Sequence, residues 1–384
     1  MRDMKQSWER KKLGDVATYV NGFAFKPEQW VDSGIPIIRI QNLNNPEAPY
    51  NYCNIEIPSK YIVEKGDILI SWSASLGVYE WLNDKGYLNQ HIFKVVFDKG
   101  DISKYYLKYA VSAKLNDMEK QLHGATMKHI VKKDFDNTLI PVPPLPEQEK
   151  IVSELDCLSG IIDKKRQQLK ELDALAQSIF YEMFGDPVTN EKGWEIERLG
   201  NKADISSSKR IFANEYTDSG IPFYRGKEVT EKSKGNPISV ELYISQDRYN
   251  EIKSSYGIPA IGDILVTAVG TIGNIWVVDT DDAFYFKDGN VLWIKVKDGI
   301  NPTYFKYILT ILIEEYKGLM ANGCAYSALT IANLKEMPTC ITPLDLQNEF
   351  ASKIEAIEKQ KELIKQSLGE VETLFNSRMD FYFN

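Results

Sequence analysis

The stretch Trp8-Glu9-Arg10-Lys11-Lys12-Leu13-Gly14 returns 186 residues later as Trp194-Glu195-Ile196-Glu197-Arg198-Leu199-Gly200. Ser33-Gly34-Ile35-Pro36, followed by Arg39, returns at the same offset as Ser219-Gly220-Ile221-Pro222, followed by Arg225. Gly66-Asp67-Ile68-Leu69 returns as Gly262-Asp263-Ile264-Leu265, and Tyr106, Lys108 and Tyr109 return as Tyr304, Lys306 and Tyr307. By Pro144, Leu145 and Gln148, matched by Pro343, Leu344 and Gln347, the offset has grown to 199. Ordered matches over so long a stretch mean that the chain is written twice, with small insertions in the second copy.

Each copy opens with a globular part. Short β-type runs at 35–40, 67–72 and 92–97, and at 221–224, 263–269 and 291–296, are bounded by turn formers such as Asp84-Lys85-Gly86. A helix expected over 103–121 interrupts them, so the fold class is α+β. Pro141-Val142-Pro143-Pro144-Leu145-Pro146 reads as a stiff extended hinge. Beyond it, apolar residues alternate at four and three: Ile151, Leu155, Leu158, Ile162, then Lys165, Leu169, Leu172, Ala176, Ile179 and Met183. The second copy gives Phe350, Ile354, Ile357, then Lys361, Ile364, Leu368, Val371 and Phe375. A sustained seven-residue period is one narrow seam on a long helix, which needs a partner; the other copy is the nearest. The expected organisation is a globular domain at 1–146, a helix at 147–185, a second domain at 186–343 and a second helix at 344–384. The helices would pair as an antiparallel coiled coil, giving a pseudo-two-fold body with a rod of about 57 Å. Lys165 and Lys361, interior to the seams, either snorkel to water or fix register.

The bulk numbers bound the function. The chain has 384 residues and a net charge of −8, with no apolar run of transmembrane length. Only residues 1–146 are basic, at +2. A nucleic-acid reader of this composition must draw phosphate attraction from local patches or from another subunit. Four scattered cysteines without a C-x-x-C pair fit a reducing cytoplasm and no structural zinc. Catalytic signatures are missing. No Asn-Pro-Pro or Asp-Pro-Pro occurs, as adenine methylation requires. The nearest string to a phosphate-cradling loop, Gly220 to Gly226-Lys227-Glu228, has one residue too many and Glu in place of Ser or Thr. Three histidines leave little scope for a His-based zinc site or a triad. No catalytic or metal-binding residues are expected.

The ordered set of W-E-x-x-x-L-G, S-G-I-P-x-x-R, G-D-I-L with its small-residue turn (71–77 and 267–273), Gly124-Ala125-Thr126-Met127-Lys128-His129-Ile130 and P-P-L-P-E-Q-E-K-I resembles the specificity (S) subunit family of type I restriction-modification systems over nearly the whole chain, twice. The second copy departs at Leu346-Gln347 and at Ala325-Tyr326-Ser327. The resemblance implies a non-catalytic subunit whose two target recognition domains each read half of a split site on double-stranded DNA, with the helices setting the spacer. It also implies two modification (M) subunits docked on those helices, using S-adenosylmethionine to methylate adenine N6. Restriction (R) subunits, ATP- and magnesium-dependent, would join that core. This chain would hold no cofactor.

Base edges are read best by Arg, Lys, Asn and Gln, and phosphates by Lys, Arg, Ser, Thr and backbone N–H groups. The candidates in the first copy are Arg39, Gln41, Asn42, Ser71, Ser73, Ser75, Thr126, Lys128, His129, Lys132 and Lys133. Those in the second are Arg225, Lys227, Thr267, Thr271, Tyr326 and Ser327. Arg39 and Arg225 could equally be structural anchors, and Trp72 and Trp276 read as core. The rival reading is a duplicated scaffold that organises partner proteins through its paired helices without reading DNA.

Overall fold

The computed structural model describes residues 8–45, 47–73, 75–121, 130–321 and 328–384. The chain forms two compact units, residues 1–166 with 365–384, and residues 167–364. This division departs from the segment boundaries expected above, because each unit takes one globular part and a piece of each long helix.

In the first unit the strand Glu9–Lys12 pairs antiparallel with Leu139–Val142. The proline-rich stretch is therefore no free hinge. Its start is a strand in a two-stranded ribbon, where Pro141 need not donate to a second neighbour. Its end already belongs to the helix Leu145–Phe184, with Pro146 in the first turn, where an N–H would have no partner anyway. One four-stranded antiparallel sheet runs in the order Thr18–Asn21, Ile92–Val96, Ile68–Ser71, Gly77–Glu80. A second runs Asn51–Cys53, Ile35–Ile38, Gly86–Leu88, Ile62–Val63, with Ile35–Ile38 parallel to Gly86–Leu88. The helix Lys104–Gln121 contributes Tyr106, Leu107, Ala110 and Val111 to the core.

The second unit repeats this plan. Glu195–Arg198 pairs with Pro338–Ile341. The sheets run Ala203–Ser207, Val291–Val296, Ile264–Thr267, Ile275–Val277 and Tyr216–Thr217, Tyr243–Ile244, Ile221–Tyr224, Tyr285–Phe286. Ile221–Tyr224 and Tyr285–Phe286 again run parallel. The ribbon, the first sheet and the parallel pairing of the second sheet are thus repeated, whereas the edge of the second sheet differs: Ile62–Val63 flanks Gly86–Leu88 in the first unit, and Tyr216–Thr217 flanks Tyr243–Ile244 in the second.

The repeated motifs have visible duties. Leu13 and Leu199 are fully buried, and their N–H groups donate to Thr138 and Met337 carbonyls, both at 2.9 Å. A Cβ on Gly14 would lie 3.2 Å from Asp136 Cβ, and one on Gly200 3.0 Å from Lys335 Cβ. The Leu-Gly pair therefore brings the chain close against the short helices Lys132–Asn137 and Ile331–Glu336. Gln148 and Gln347, both fully buried, pin the long helices. Gln148 Oε1 accepts from Ser103 N at 2.8 Å, while its amide donates to Pro143 O at 2.8 Å and Asp101 O at 3.1 Å. Gln347 Oε1 accepts from Asn301 N at 2.8 Å, and its amide donates to Thr342 O at 2.8 Å and Gly299 O at 3.5 Å.

Within each unit the helix pieces run antiparallel. In the first, Glu154 meets Arg378 at 2.8 Å and Arg166 meets Glu372 at 2.6 Å; Ile151 and Leu155 share a core with Met379 and Phe383. In the second, Asp173 meets Lys361 at 2.7 Å, and Phe184 lies 5.4 Å from Phe350, ring to ring. Every seam position named above, in both Leu145–Phe184 and Leu344–Phe383, is buried or half-buried. Lys361 has its side chain 15% exposed and held by Asp173 of the facing helix and Glu358 of its own. Lys165 is half-buried.

Candidate nucleic-acid interface

Several sequence candidates turn out to build the fold and need correction as contacts. Asn42 is only 3% exposed. Its Oδ1 accepts from Arg39 N and its amide donates to Ala48 and Pro49 carbonyls. That cap starts the helix Ile40–Asn44, just after the strand expected over 35–40 has ended at Ile38. Ser71 and Thr267 are fully buried, and each hydroxyl donates across its turn, to Ser75 O and Thr271 O respectively. They set turn shape from inside and present nothing to a ligand. Arg39 and Arg225 are half-buried and also hold neighbouring residues. Arg39 donates to Asn51 Oδ1 at 2.7 Å and lies over the Trp30 ring. Arg225 forks between Glu228 and Glu241, each at 2.8 Å. Trp276 is core, and Trp72 stacks on Phe93 with ring centres 5.6 Å apart.

The remaining described candidates gather on three elements that recur in both units. The first is the helix after Arg39 or Arg225, Ile40–Asn44 or Gly226–Ser233. It exposes Gln41 in one and Lys227 in the other, which are the same position at offset 186. The second is the turn 71–77 or 267–273, carrying half-buried Ser73 and Ser75 or exposed Thr271. The helix is tied to the strand leaving the turn in the first unit and to the turn itself in the second. In the first unit Tyr79 OH donates to Asn44 Oδ1 at 2.6 Å. In the second Thr230 Oγ1 lies 3.5 Å from Thr271 Oγ1. Asn44 and Thr230 were not singled out from sequence, yet the same offset of 186 aligns them beside Gln41 and Lys227. The third element follows residues 122–129 or 322–327, which lie outside the described residues. Ile130 N donates to Trp72 O at 3.0 Å, and Leu329 N to Ala268 O at 3.2 Å. Lys132 and Lys133 are exposed just beyond that point in the first unit, Lys132 paired with Asp136 at 2.6 Å. Thr126, Lys128, His129, Tyr326 and Ser327 lie outside the described residues.

The electrostatics of the two faces differ. In the second unit Lys227 and Arg225 hold the exposed Glu241 carboxyl down at about 2. Burial works against charge on Glu228, but hydrogen bonds from the Arg225 side chain and backbone keep that carboxyl below its usual range. Lys227 is thereby neutralised by Glu241 at 2.7 Å. In the first unit Gln41 is uncharged and its amide donates to Pro49 O at 3.2 Å. Among the described residues no three side chains of metal-ligating type cluster, and no helix is long and apolar enough to cross a membrane.

Comparison with known proteins places this arrangement. The family model for the type I restriction modification DNA specificity domain matches residues 5–174 and again 191–373. The chain is 24% identical to the type I restriction enzyme EcoBI specificity subunit of Escherichia coli, over 96% of this chain and 79% of that protein. It is likewise 24% identical to the MjaVIII specificity subunit of Methanocaldococcus jannaschii, over 96% of this chain and 90% of that one. The crystal structure of the type I restriction-modification S subunit from M. genitalium shares its fold, with a TM-score of 0.55, 14% identity, and coverage of 98% of this chain and 96% of that one.

Proposed function

The chain belongs to the type I restriction-modification DNA specificity family, and from that premise we propose that its two units read the two halves of a split site on duplex DNA. The observation that carries this reading is a matched pair of faces with unmatched side chains. Helix, turn and third element converge at corresponding positions in both units, but Gln41, Asn44 and Ser75 stand where Lys227, Thr230 and Thr271 stand. Equal scaffolds with different hydrogen-bonding groups are what two different half-sites call for. The long helices set the gap between the half-sites and carry two modification subunits. Those subunits supply S-adenosylmethionine and the adenine-N6 chemistry, and restriction subunits bring ATP and magnesium. The chain holds no cofactor, works in the cytoplasm and contributes the address. Mapping N6-methyladenine across a genome in cells expressing this chain with its modification subunit tests the reading. A two-part motif with a fixed gap is expected; an unbroken motif, or methylation independent of this chain, overturns it. The acid excess of residues 186–384 favours a second reading, a protein scaffold. On that reading the complex would not retard a duplex carrying the split site.

A further inference from the structure

We propose that Gln90 and His91 are base-reading residues of the first unit, in a fourth element of its DNA face that the motifs do not mark. This rests on the reading of that unit as a half-site reader. The two residues lie in the turn joining the strands Gly86–Leu88 and Ile92–Val96. His91 is exposed and Gln90 half-buried, with Gln90 Nε2 3.2 Å from His91 Nε2. The turn sits at the strand end where the other elements converge. His91 O accepts from Trp72 N at 3.5 Å, and Trp72 O in turn accepts from Ile130 N at 3.0 Å. The His91 ring packs on Trp72 with centres 5.5 Å apart, and Trp72 stacks in turn on the buried Phe93. A polar pair mounted on a rigid aromatic stack is held in place before it meets a ligand, so little side-chain freedom remains to be lost on contact.

The second unit has the same element with other residues. Asn290 O accepts from Ala268 N at 2.8 Å, so Asn290 is the counterpart of His91 and Gly289 that of Gln90. There Asp288 is engaged by Arg210 at 2.7 Å and Gly289 N donates to Ser207 Oγ at 3.1 Å. A Gln amide can pair in two places with an adenine edge, and an imidazole N–H can donate to a purine N7 or O6. Gly289 offers no side chain. The two units therefore present different chemistry at one shared position, as they do at Gln41 and Lys227.

The test maps methylation motifs for the full complex carrying Gln90→Ala, His91→Ala or Asn290→Ala. Gln90→Ala and His91→Ala are expected to relax base preference by on the order of 10-fold to 100-fold at one or two positions of a single half-site, with the other half-site and the gap unchanged. Asn290→Ala is expected to act on the opposite half-site only. Unchanged preference in the two first-unit variants, or relaxation of both half-sites together, overturns the proposal while leaving the two-reader function standing. A wild-type complex without a two-part motif instead overturns that function itself.

Discussion

Gln148 shows how one side chain joins a reader to its rod. It is buried, it satisfies one backbone N–H and two carbonyls, and Gln347 repeats the arrangement. Only an uncharged amide can accept once and donate twice here. Gln148→Glu keeps the shape but loses the donors, and at neutral pH it buries a carboxylate against the Asp101 and Pro143 carbonyls. The expected loss is about 2–4 kcal/mol in the first unit, read as a lower urea midpoint. The sign with pH is fixed. A carboxyl opposed by two carbonyls has its folded pKa raised, so the variant loses stability as pH climbs past about 4.3 and recovers it as pH falls below. A pH-independent deficit would exclude this account. Glu241 behaves in the opposite way. Lys227 and Arg225 depress its pKa to about 2, so its contribution is complete above roughly pH 4.3 and fades as pH falls toward 2. Glu241→Gln should flatten that acid limb. It should also free Lys227 for phosphate, steepening the dependence of log affinity on log salt by about 0.9. An unchanged slope in a DNA-binding titration would show that Lys227 faces no phosphate.

At the scale of elements, the long helices bring their ionic contacts to the seam. Lys361 lies in the seam, only 15% exposed, yet burial does not win: ion pairs with Asp173 and Glu358 hold its pKa above the ordinary lysine value. Its contribution is therefore present at neutral pH and lost only as pH rises beyond about 10.4. Asp173 is 65% exposed, which limits the pair to about 0.5–1 kcal/mol. A double-mutant cycle of Lys361→Met and Asp173→Asn should return a coupling of that size, and Asp173→Lys should cost more than Asp173→Asn. A coupling near zero would assign Lys361 to packing alone. The seam itself was legible because periodicity depends only on residue type and spacing, and every position it named is at least half-buried. The repeat was legible for the same reason. Burial of single polar residues was not. Ser71 and Ser75 are alike in sequence, but the first is fully buried, closing its turn from inside by donating to the backbone carbonyl of the second, which stays half-buried. Asn42 and Gln41 differ likewise, one capping a helix and the other exposed. Proline at 141–146 suggested a hinge because its stiffness is local; that the stretch pairs with Glu9–Lys12 is a contact across more than a hundred residues, which composition does not encode.

At the scale of the molecule, the sequence repeat and the folded unit are not the same object. Residues 167–364 form one unit from a continuous stretch, whereas the other unit needs residues 1–166 and then the terminal piece 365–384. Each core is closed by the end of a helix that begins in the other. Phe383 is fully buried with Tyr106, 5.4 Å ring to ring, and Asn384 O accepts from Arg10 at 3.1 Å. Phe184, the same position 199 residues earlier, is 3% exposed against Tyr304 at 4.6 Å. Removing a buried phenylalanine costs about 3–5 kcal/mol, from lost transfer energy and the cavity left behind. Phe383→Ala should therefore loosen the unit holding the first repeat, although the substitution lies at the end of the second. Phe184→Ala should loosen the unit holding the second repeat. Hydrogen exchange on the full chain in complex with its modification subunit separates these outcomes. Phe383→Ala is expected to raise exchange in the strands Thr18–Asn21 and Ile92–Val96 and in the helix Lys104–Gln121, leaving Ile264–Thr267 and Val291–Val296 protected; Phe184→Ala should give the reverse. If each substitution loosened instead the repeat that carries it in sequence, the exchange of helix ends would play no part in stabilising the readers.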